Sequence, residues 1–494
     1  MQLAKLIPND QKAALSAGDW SRAHETEITG LTADSRSVKP GYLFAAMPGT
    51  QLDGSDFVND AINNGAVAVL SHSSSTLDDD LSVPTIRAQN PRRLFALMSA
   101  RYFERQPDKL VAVTGTAGKS SVAEMLRQIW SHLGYSAASI GTIGVTGPDF
   151  HRPLSHTTLE PSAFHALLDE LTGLGIDHVC FEASSHGLAQ HRVDGTKLTA
   201  GAFTSFGRDH RDYHATEEDY LFAKLRLFGE VLIPGAIAVI NADDPVSVSV
   251  EQVCADRGLK TITVGAKGKT IHLAELIPTS EGQTMRLEAF DAVYSINLPL
   301  SGAFQASNAL VAAGLAIACG APGGAVMMAL TTLKPIPGRL EHIVDLPGKG
   351  AAYVDYAHKP DALKAALEAL RPHTKGRLIC VFGCGGDRDK QKRPEMGAIA
   401  TELADIVIIT DDNPRTEDPA IVRAEIIAAA PGAKEIPDRR EAIQTAIKLA
   451  ESGDIVLIAG KGHETGQIIG DQVLPFNDAD EVRAQLSTPE HADA

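Results

Sequence analysis

An apolar run, Val111-Ala-Val-Thr114, breaks at Gly115 and Gly118, reaches Lys119 and Ser120, and passes directly into the helical pattern Val122–Leu133. A strand that feeds a helix through so tight a glycine turn brings backbone N–H groups to face an anion at the helix start. A lysine at this spacing reaches the outer phosphates of a nucleotide, and the serine hydroxyl ligates Mg²⁺. The candidate ATP- or GTP-binding residues are therefore Thr114, Gly115, Thr116, Ala117, Gly118, Lys119, Ser120 and Ser121. The loop is shorter than the common G-x-x-x-x-G-K-[ST] form. A glycine-rich turn with a solvated lysine is the plainer alternative.

A chain of 494 residues is too long for one core and calls for several domains. Up to about Asp108 short apolar runs alternate with turns, including Ala33-Asp-Ser-Arg-Ser-Val-Lys-Pro-Gly and the strand-like Ala66–Leu70. From Lys109 the order strand, polar loop, helix repeats, as in a mainly parallel sheet covered on both faces. Strands are expected at Lys109–Val113, Asp177–Phe181, Ala200–Thr204 and Ala236–Ile240. After the Pro- and Gly-punctuated stretch Leu333–Gly338 a second α/β block begins, with strands expected at Ala352–Val354, Arg377–Phe382, Asp405–Thr410 and Asp454–Ala459. The expected domains are residues 1–108, 109–335 and 336–494. In both blocks the polar residues follow strands, where open α/β sheets bind ligands. Two polar rims suggest a cleft with two substrates.

The formal charge of −17, with no basic stripe, argues against a nucleic-acid scaffold. Five cysteines without a disulfide framework fit a reducing cytoplasm. Met1-Gln-Leu-Ala-Lys-Leu-Ile-Pro8 lacks a signal peptide's apolar core. Ala303–Leu333 carries no charge, but it is rich in Ala and Gly and cut by Pro322-Gly-Gly, so it is expected to form two packed helices rather than a membrane span.

Several groups carry chemistry. Glu182 ends an apolar strand, where a carboxylate completes a Mg²⁺ shell or caps a helix. His210 and His214 share a polar stretch whose H-x-x-x-H spacing lacks the rest of a zinc motif. Thr216 caps a well-marked helix in which Lys224 shares a face with Tyr220 and Phe228. By residue chemistry alone that lysine snorkels. Gly383–Arg393, Asp412-Asn-Pro-Arg415 and Glu464 combine arginines, an amide and a carboxylate, a set suited to a zwitterionic amino acid or to a surface ion-pair cluster.

Taken together and in this order, these stretches resemble the Mur ligases, the ATP-dependent amide ligases of peptidoglycan precursor assembly. The markers are Thr114–Ser120, Glu182–His186, Gln190-His-Arg192, Arg208–His214, Tyr220–Phe228, Asn241–Asp244, Phe304–Asn308, Asp355–His358, Gly383–Arg393 and Asp412–Arg415. The resemblance implies three α/β domains: a small UDP-binding domain, a central P-loop ATPase domain with a mainly parallel sheet, and a Rossmann-like C-terminal domain. It implies that Ser35 and Arg36 hold UDP, and that Thr157, Thr158, Ser184, Gln190 and Arg192 hold the muramoyl-dipeptide. It makes Lys119, Glu182, His210 and Lys224 catalytic, with Ser120, Glu182, His210 and a carbamylated Lys224 on Mg²⁺. Asn308, Arg339 and Asp355 then belong to the ATP site, and Arg388, Asp412, Asn413, Pro414, Arg415, Gly460 and Glu464 to the amino-acid pocket.

Asp412-Asn-Pro-Arg415 is the form associated with the branch of the family that adds meso-diaminopimelate. Arg415 gives that substrate's distal carboxylate a counter-charge that lysine cannot use. The reaction implied is phosphoryl transfer from ATP to a glutamyl γ-carboxylate, giving an acyl phosphate, followed by attack of the amine. The chain is expected to act as a cytoplasmic monomer on small molecules, without membrane insertion. It departs from the family pattern at Ala117, at Ser120-Ser121, at His156, at Gln305 and at Lys359, where a small polar residue is usual. Sister ligases that add lysine, or glutamate to a folate, are the nearest rivals. A non-catalytic nucleotide-binding protein and a P-loop motor or switch GTPase are more distant ones.

Overall fold

Strand Lys109–Thr114 is buried on both faces, and its side chains alternate between two cores. Val111 and Val113 pack with Val122, Met125, Ile129 and Trp130 of the helix Lys119–His132, while Leu110 and Ala112 pack with Phe164, Leu168, Phe181 and Phe228. A near-continuous apolar run is what such a two-faced position demands. The computed structural model describes residues 1–486 except 50–52, 79–80, 155, 208, 210–212, 280–281, 347 and 349.

The N-terminal sheet holds β1 (Gly30–Thr32), β2 (Tyr42–Ala45), β3 (Ala66–His72) and β4 (Thr85–Ala88), all parallel and in sequential order. The helix Pro91–Tyr102 leads from it to the central domain.

The central strands are β5 (Lys109–Thr114), β6 (Ala137–Gly141), β7 (Gly144–Thr146), β8 (His151–Arg152), β9 (His178–Glu182), β10 (Ala200–Phe203), β11 (Ile237–Asn241), β12 (Lys260–Gly265), β13 (Ile271–Thr279), β14 (Gly282–Ala289) and β15 (Ala292–Leu298). They form one sheet in the order β15-β14-β13-β12-β11-β10-β5-β9-β6-β7-β8. From β13 to β6 the strands run parallel, and each end is an antiparallel wing. The expected parallel strands are present within a residue or two. The wings are additions that the strand–loop–helix pattern does not contain.

The uncharged stretch forms two packed helices, Ala303–Ala318 and Gly323–Ala329. The first lies so close to the sheet that a Cβ at Gly314 would stand 2.7 Å from Val239 Cγ1. Small side chains here are a consequence of that approach. No helix among the described residues is long and apolar enough to cross a membrane.

The C-terminal domain contains β16 (Glu341–Leu346), β17 (Gly350–Asp355), β18 (Leu378–Phe382), β19 (Ile406–Ile409), β20 (Lys434–Glu435) and β21 (Asp454–Ala459). Their order is β16-β17-β21-β18-β19-β20, with only β16 antiparallel. A hairpin of β22 (Gly466–Ile469) and β23 (Gln472–Pro475) follows.

One fully buried ion pair fastens the domain. Arg439 donates to Asp478 at 2.7 and 2.8 Å and to the Ala459 carbonyl at 2.9 Å, joining two helices to the end of β21. Asp478→Ala would leave a guanidinium buried without its counter-charge. We expect a loss of about 3–5 kcal/mol, read from the urea midpoint of C-terminal domain unfolding.

Candidate active site

The glycine loop is stitched to the end of β10. The Ala117 carbonyl accepts from Thr204 Oγ1 at 2.6 Å, and the Ala117 amide donates to Ser205 Oγ at 3.1 Å. Thr116 Oγ1 lies 3.1 Å from the Tyr220 hydroxyl, and Gly207 N donates to it at 3.0 Å. Gly118 has φ +85°, and a Cβ there would run into Asn308 Oδ1. The N–H groups that open the helix Lys119–His132 are thereby left pointing out of a shallow cradle, the geometry that suits phosphate oxygens.

Two ammonium groups converge on one oxygen of that loop. Lys119 Nζ donates to the carbonyls of Gly115 at 2.8 Å and Thr116 at 3.0 Å, and Lys224 Nζ donates to the Gly115 carbonyl at 2.8 Å. Lys224 is 1% exposed, with its ammonium 4.2 Å from the Tyr220 ring centroid. The snorkelling that its helix position suggests does not occur. Burial, reinforced by the charge on Lys119, pushes the Lys224 pKa well below that of an ordinary lysine. Burial also lowers Lys119, against the pull of Glu182 and Asp209.

Glu182 closes β9 as expected. It accepts from Thr142 N at 2.7 Å and from Thr142 Oγ1 at 3.2 Å. Beside it runs a connected strip of the residues assigned to the muramoyl-dipeptide. Thr157 Oγ1 lies 3.0 Å from Thr142 Oγ1, Thr158 Oγ1 donates to the Glu182 carbonyl at 2.8 Å, and Ser184 N donates back to Thr158 Oγ1 at 3.1 Å. Arg192 donates to the Thr158 carbonyl and to Gln190 Oε1, both at 2.8 Å. Ser35 and Arg36 lie apart from this strip, in a turn of the N-terminal domain where Arg36 folds back on Asp34 with two 2.9 Å contacts. His210, the remaining candidate metal ligand, and Arg208 lie outside the described residues.

The C-terminal domain meets the cradle from the other side. Arg339 Nη2 donates to Ser120 Oγ at 3.2 Å, and its guanidinium lies 4.6 Å from the Tyr356 ring centroid. Asp355, at the end of β17, accepts from Leu340 N at 2.5 Å and Ala357 N at 2.8 Å. Burial raises its pKa to about 6, with Arg339 pulling the other way. Lys359 crosses to Asp209 at 2.5 Å, so the departure from a small polar residue supplies an ion pair between domains. The linker residue Gly338 sits against the Gly460–Glu464 loop, where a Cβ would collide with the His463 amide.

Asn413 and Glu464 meet at 2.8 Å, and Lys461 Nζ reaches Asn413 Oδ1 and Glu464 Oε2, each at 3.0 Å. Arg415 donates to the Gly386 carbonyl at 2.8 Å, and its backbone is left-handed with φ +53°. Gly460 donates to the Asp355 carbonyl at 3.1 Å and packs against Asp412, while Pro414 is buried behind them. Arg388 stands exposed at the rim. Residue patterns alone do not single out Lys461 or Thr142, and they give no role to Asp209 within the Arg208–His214 stretch. Lys461 and Thr142 act by holding another side chain, and Arg393, fully buried against Glu417 and Glu425, anchors the pocket from behind.

Among the described residues no three His, Cys, Asp or Glu side chains gather as a metal cage. Ser120 and Glu182 are hard-oxygen donors beside the phosphate cradle, the kind of partial shell that Mg²⁺ shares with nucleotide phosphates.

A glycine-rich strand–turn–helix loop on one α/β domain, joined through Arg339 to a second that carries the polar cluster Asn413, Lys461 and Glu464, is the arrangement of a nucleotide-dependent enzyme. The comparisons give that class a family. Residues 27–128 match the Mur ligase family catalytic domain, 113–316 the Mur ligase middle domain, and 338–462 the Mur ligase glutamate ligase domain. The chain belongs to the Mur ligases. It is 52% identical over 462 residues to a UDP-N-acetylmuramoyl-L-alanyl-D-glutamate–2,6-diaminopimelate ligase of Mesorhizobium japonicum, covering 94% of this chain and 95% of that one. A ligase of the same name from Brucella melitensis is 50% identical over 465 residues, with the same coverage. A solved structure of a UDP-N-acetylmuramoyl-L-alanyl-D-glutamate–2,6-diaminopimelate ligase superimposes with a TM-score of 0.70 at 33% identity, covering 95% of this chain and 96% of that one.

Gly118→Ala forces an L side chain into left-handed backbone and into Asn308. We expect it to weaken nucleoside triphosphate binding by about fivefold or more, as a strain of ~1–3 kcal/mol implies, measured by titration calorimetry.

Proposed function

We propose that this chain is an ATP-dependent ligase that joins meso-diaminopimelate to the D-glutamyl γ-carboxylate of UDP-N-acetylmuramoyl-L-Ala-D-Glu, in the cytoplasm. The observation that carries the reading is the juxtaposition across one cleft of the Lys119–Ser120 cradle and the Asn413–Arg415–Glu464 pocket, with Arg339 bridging to Ser120. The name shared by the relatives at about half identity supports the same choice.

In this mechanism the strip Thr157, Thr158, Ser184, Gln190 and Arg192 lays the dipeptide beside Glu182, aiming its γ-carboxylate at the cradle. Lys119 and the helix N–H groups offset negative charge as a carboxylate approaches a triphosphate. The γ-carboxylate oxygen takes the terminal phosphoryl group, giving an acyl phosphate and ADP. Glu464, oriented by Lys461, receives the substrate ammonium group, and Arg415 receives the distal carboxylate. The amine, its ammonium proton given up to solvent, then adds to the acyl carbonyl, and the bond from that carbon to the phosphate oxygen breaks as inorganic phosphate leaves with the second N–H proton. Ion pairs such as Lys359–Asp209 keep the cleft shut, which favours amine over water as the attacking group.

Mg²⁺ fits the donors available, with Ser120 and Glu182 as its protein oxygens, and would supply charge neutralisation at the phosphates. Lys224 fits a carbamate. A lysine depressed by burial carries more neutral amine, the form that adds CO₂, and the product is a carboxylate-like oxygen donor.

Phosphate release with ATP, Mg²⁺ and the sugar nucleotide is expected with meso-diaminopimelate and not with L-lysine. Release with lysine would overturn the amine assignment, and release with neither would overturn the ligase reading. Arg415→Ala should lower kcat/KM for diaminopimelate by about 10²-fold or more, as expected when a charged substrate group loses its partner, with the KM for ATP unchanged. Under ¹³C-bicarbonate, the native chain should show a carbamate carbon resonance that Lys224→Ala lacks.

A further inference from the structure

The sugar nucleotide of the preceding reading would be held at two ends, its UDP by the N-terminal domain and its dipeptide beside Glu182. Whether both ends can be gripped at once depends on how the two domains are joined. The inference below rests on that reading of the substrate.

The helix Pro91–Tyr102 of the N-terminal domain lies directly on the loop that carries Gln190 and Arg192. Asn90 caps this helix, its Oδ1 accepting from Arg93 N at 3.0 Å. That fixes its amide nitrogen as the donor to His191 Nε2 at 2.9 Å. With Nε2 accepting, the ring proton of a neutral His191 sits on Nδ1, which faces Asp194 Oδ2 at 3.3 Å. Arg93 Nε reaches the same oxygen at 3.4 Å. A Cβ at Gly195 would stand 2.6 Å from Ala100 Cβ, so the helix comes within backbone reach of the loop.

Asp194 is also the partner of Arg226, with contacts of 2.6 and 2.7 Å. Arg226 belongs to the helix Glu217–Arg226, which carries Lys224, and it donates to the Leu188 carbonyl at 2.9 Å. One buried carboxylate thus gathers groups from the N-terminal domain, from the dipeptide loop and from the lysine-bearing helix. His191 has φ +57°, a left-handed backbone that a non-glycine residue keeps only when its surroundings enforce it. Its neighbours on either side are Gln190 and Arg192.

We infer that Asp194, with His191 and Arg93, is a positioning joint that fixes the span between the UDP-binding domain and the dipeptide strip. A ligand gripped at both ends gains affinity over its halves only to the extent that the two grips are held at the matching distance. Loosening the joint therefore weakens the whole ligand while each half binds as before.

The test compares calorimetric affinities for UDP-N-acetylmuramoyl-L-Ala-D-Glu, for UDP alone and for N-acetylmuramoyl-L-Ala-D-Glu alone, in the native chain and in Arg93→Ala and Asp194→Asn. Arg93 is half-exposed, so its variant keeps the experiment decisive if Asp194→Asn fails to fold. We expect the whole ligand to lose about fivefold or more, the size of a typical coupling between sites. Both halves should stay within about twofold, and Arg93→Lys should restore most of the loss. An equal loss on either half, or no loss on the whole, would overturn the joint, as would a native chain that binds the whole no better than its halves. A native chain that binds the whole tightly yet never turns over counts against the ligase reading alone and leaves the joint standing.

Discussion

The Gly115 carbonyl accepts from Lys119 within the loop and from Lys224 on a helix 109 residues further along the chain. Two ammonium groups on one buried oxygen repel each other, and the arrangement persists because Glu182 and Asp209 lie near Lys119 and the Tyr220 ring lies under Lys224. This contact ties the loop to the helix Glu217–Arg226, and the burial of Lys224, reinforced by the charge on Lys119, depresses its basicity. It also explains why the loop is braced so heavily by Thr204, Ser205 and Gly207, since an unbraced loop would relieve the repulsion by moving.

The parallel strands are legible in the sequence because burial on both faces leaves little choice but Val, Ile, Leu and Ala. The antiparallel wing β13–β15 is not, for a specific reason. Its β14–β15 turn is made by Phe290 and Asp291 with φ of +55° and +58°, where Asn-Gly or Gly would have announced a hairpin. The site divides in the same way. Gly115, Gly118 and Lys119 form the strand, glycine turn and helix start that their spacing predicts. Lys224 is placed on an aromatic face by its spacing, but its burial depends on a loop distant in sequence, and residue chemistry alone mistakes it for a solvated side chain. Thr142 and Lys461 orient other side chains, and such indirect roles leave no periodic trace.

Contacts across the cleft come from a few residues with unlike chemistry. Arg339 reaches Ser120, Lys359 reaches Asp209, and Gln305 donates to the Arg339 carbonyl at 2.9 Å. Each is a single polar contact, so none is worth as much as the hydrophobic cores that hold each domain together. The domains are firm and their mutual contact is comparatively soft. That balance suits a catalyst that must admit three substrates and still exclude water.

Gly338 adds a mechanical constraint to that softness. The link between the central and C-terminal domains touches the Gly460–Glu464 loop itself, and its carbonyl accepts from Tyr356 N at 2.8 Å. A lever moves least beside its fulcrum. Rotation about this link would carry the far edge of the C-terminal domain through a wide arc while Glu464, only a few residues from the contact, stayed nearly in place.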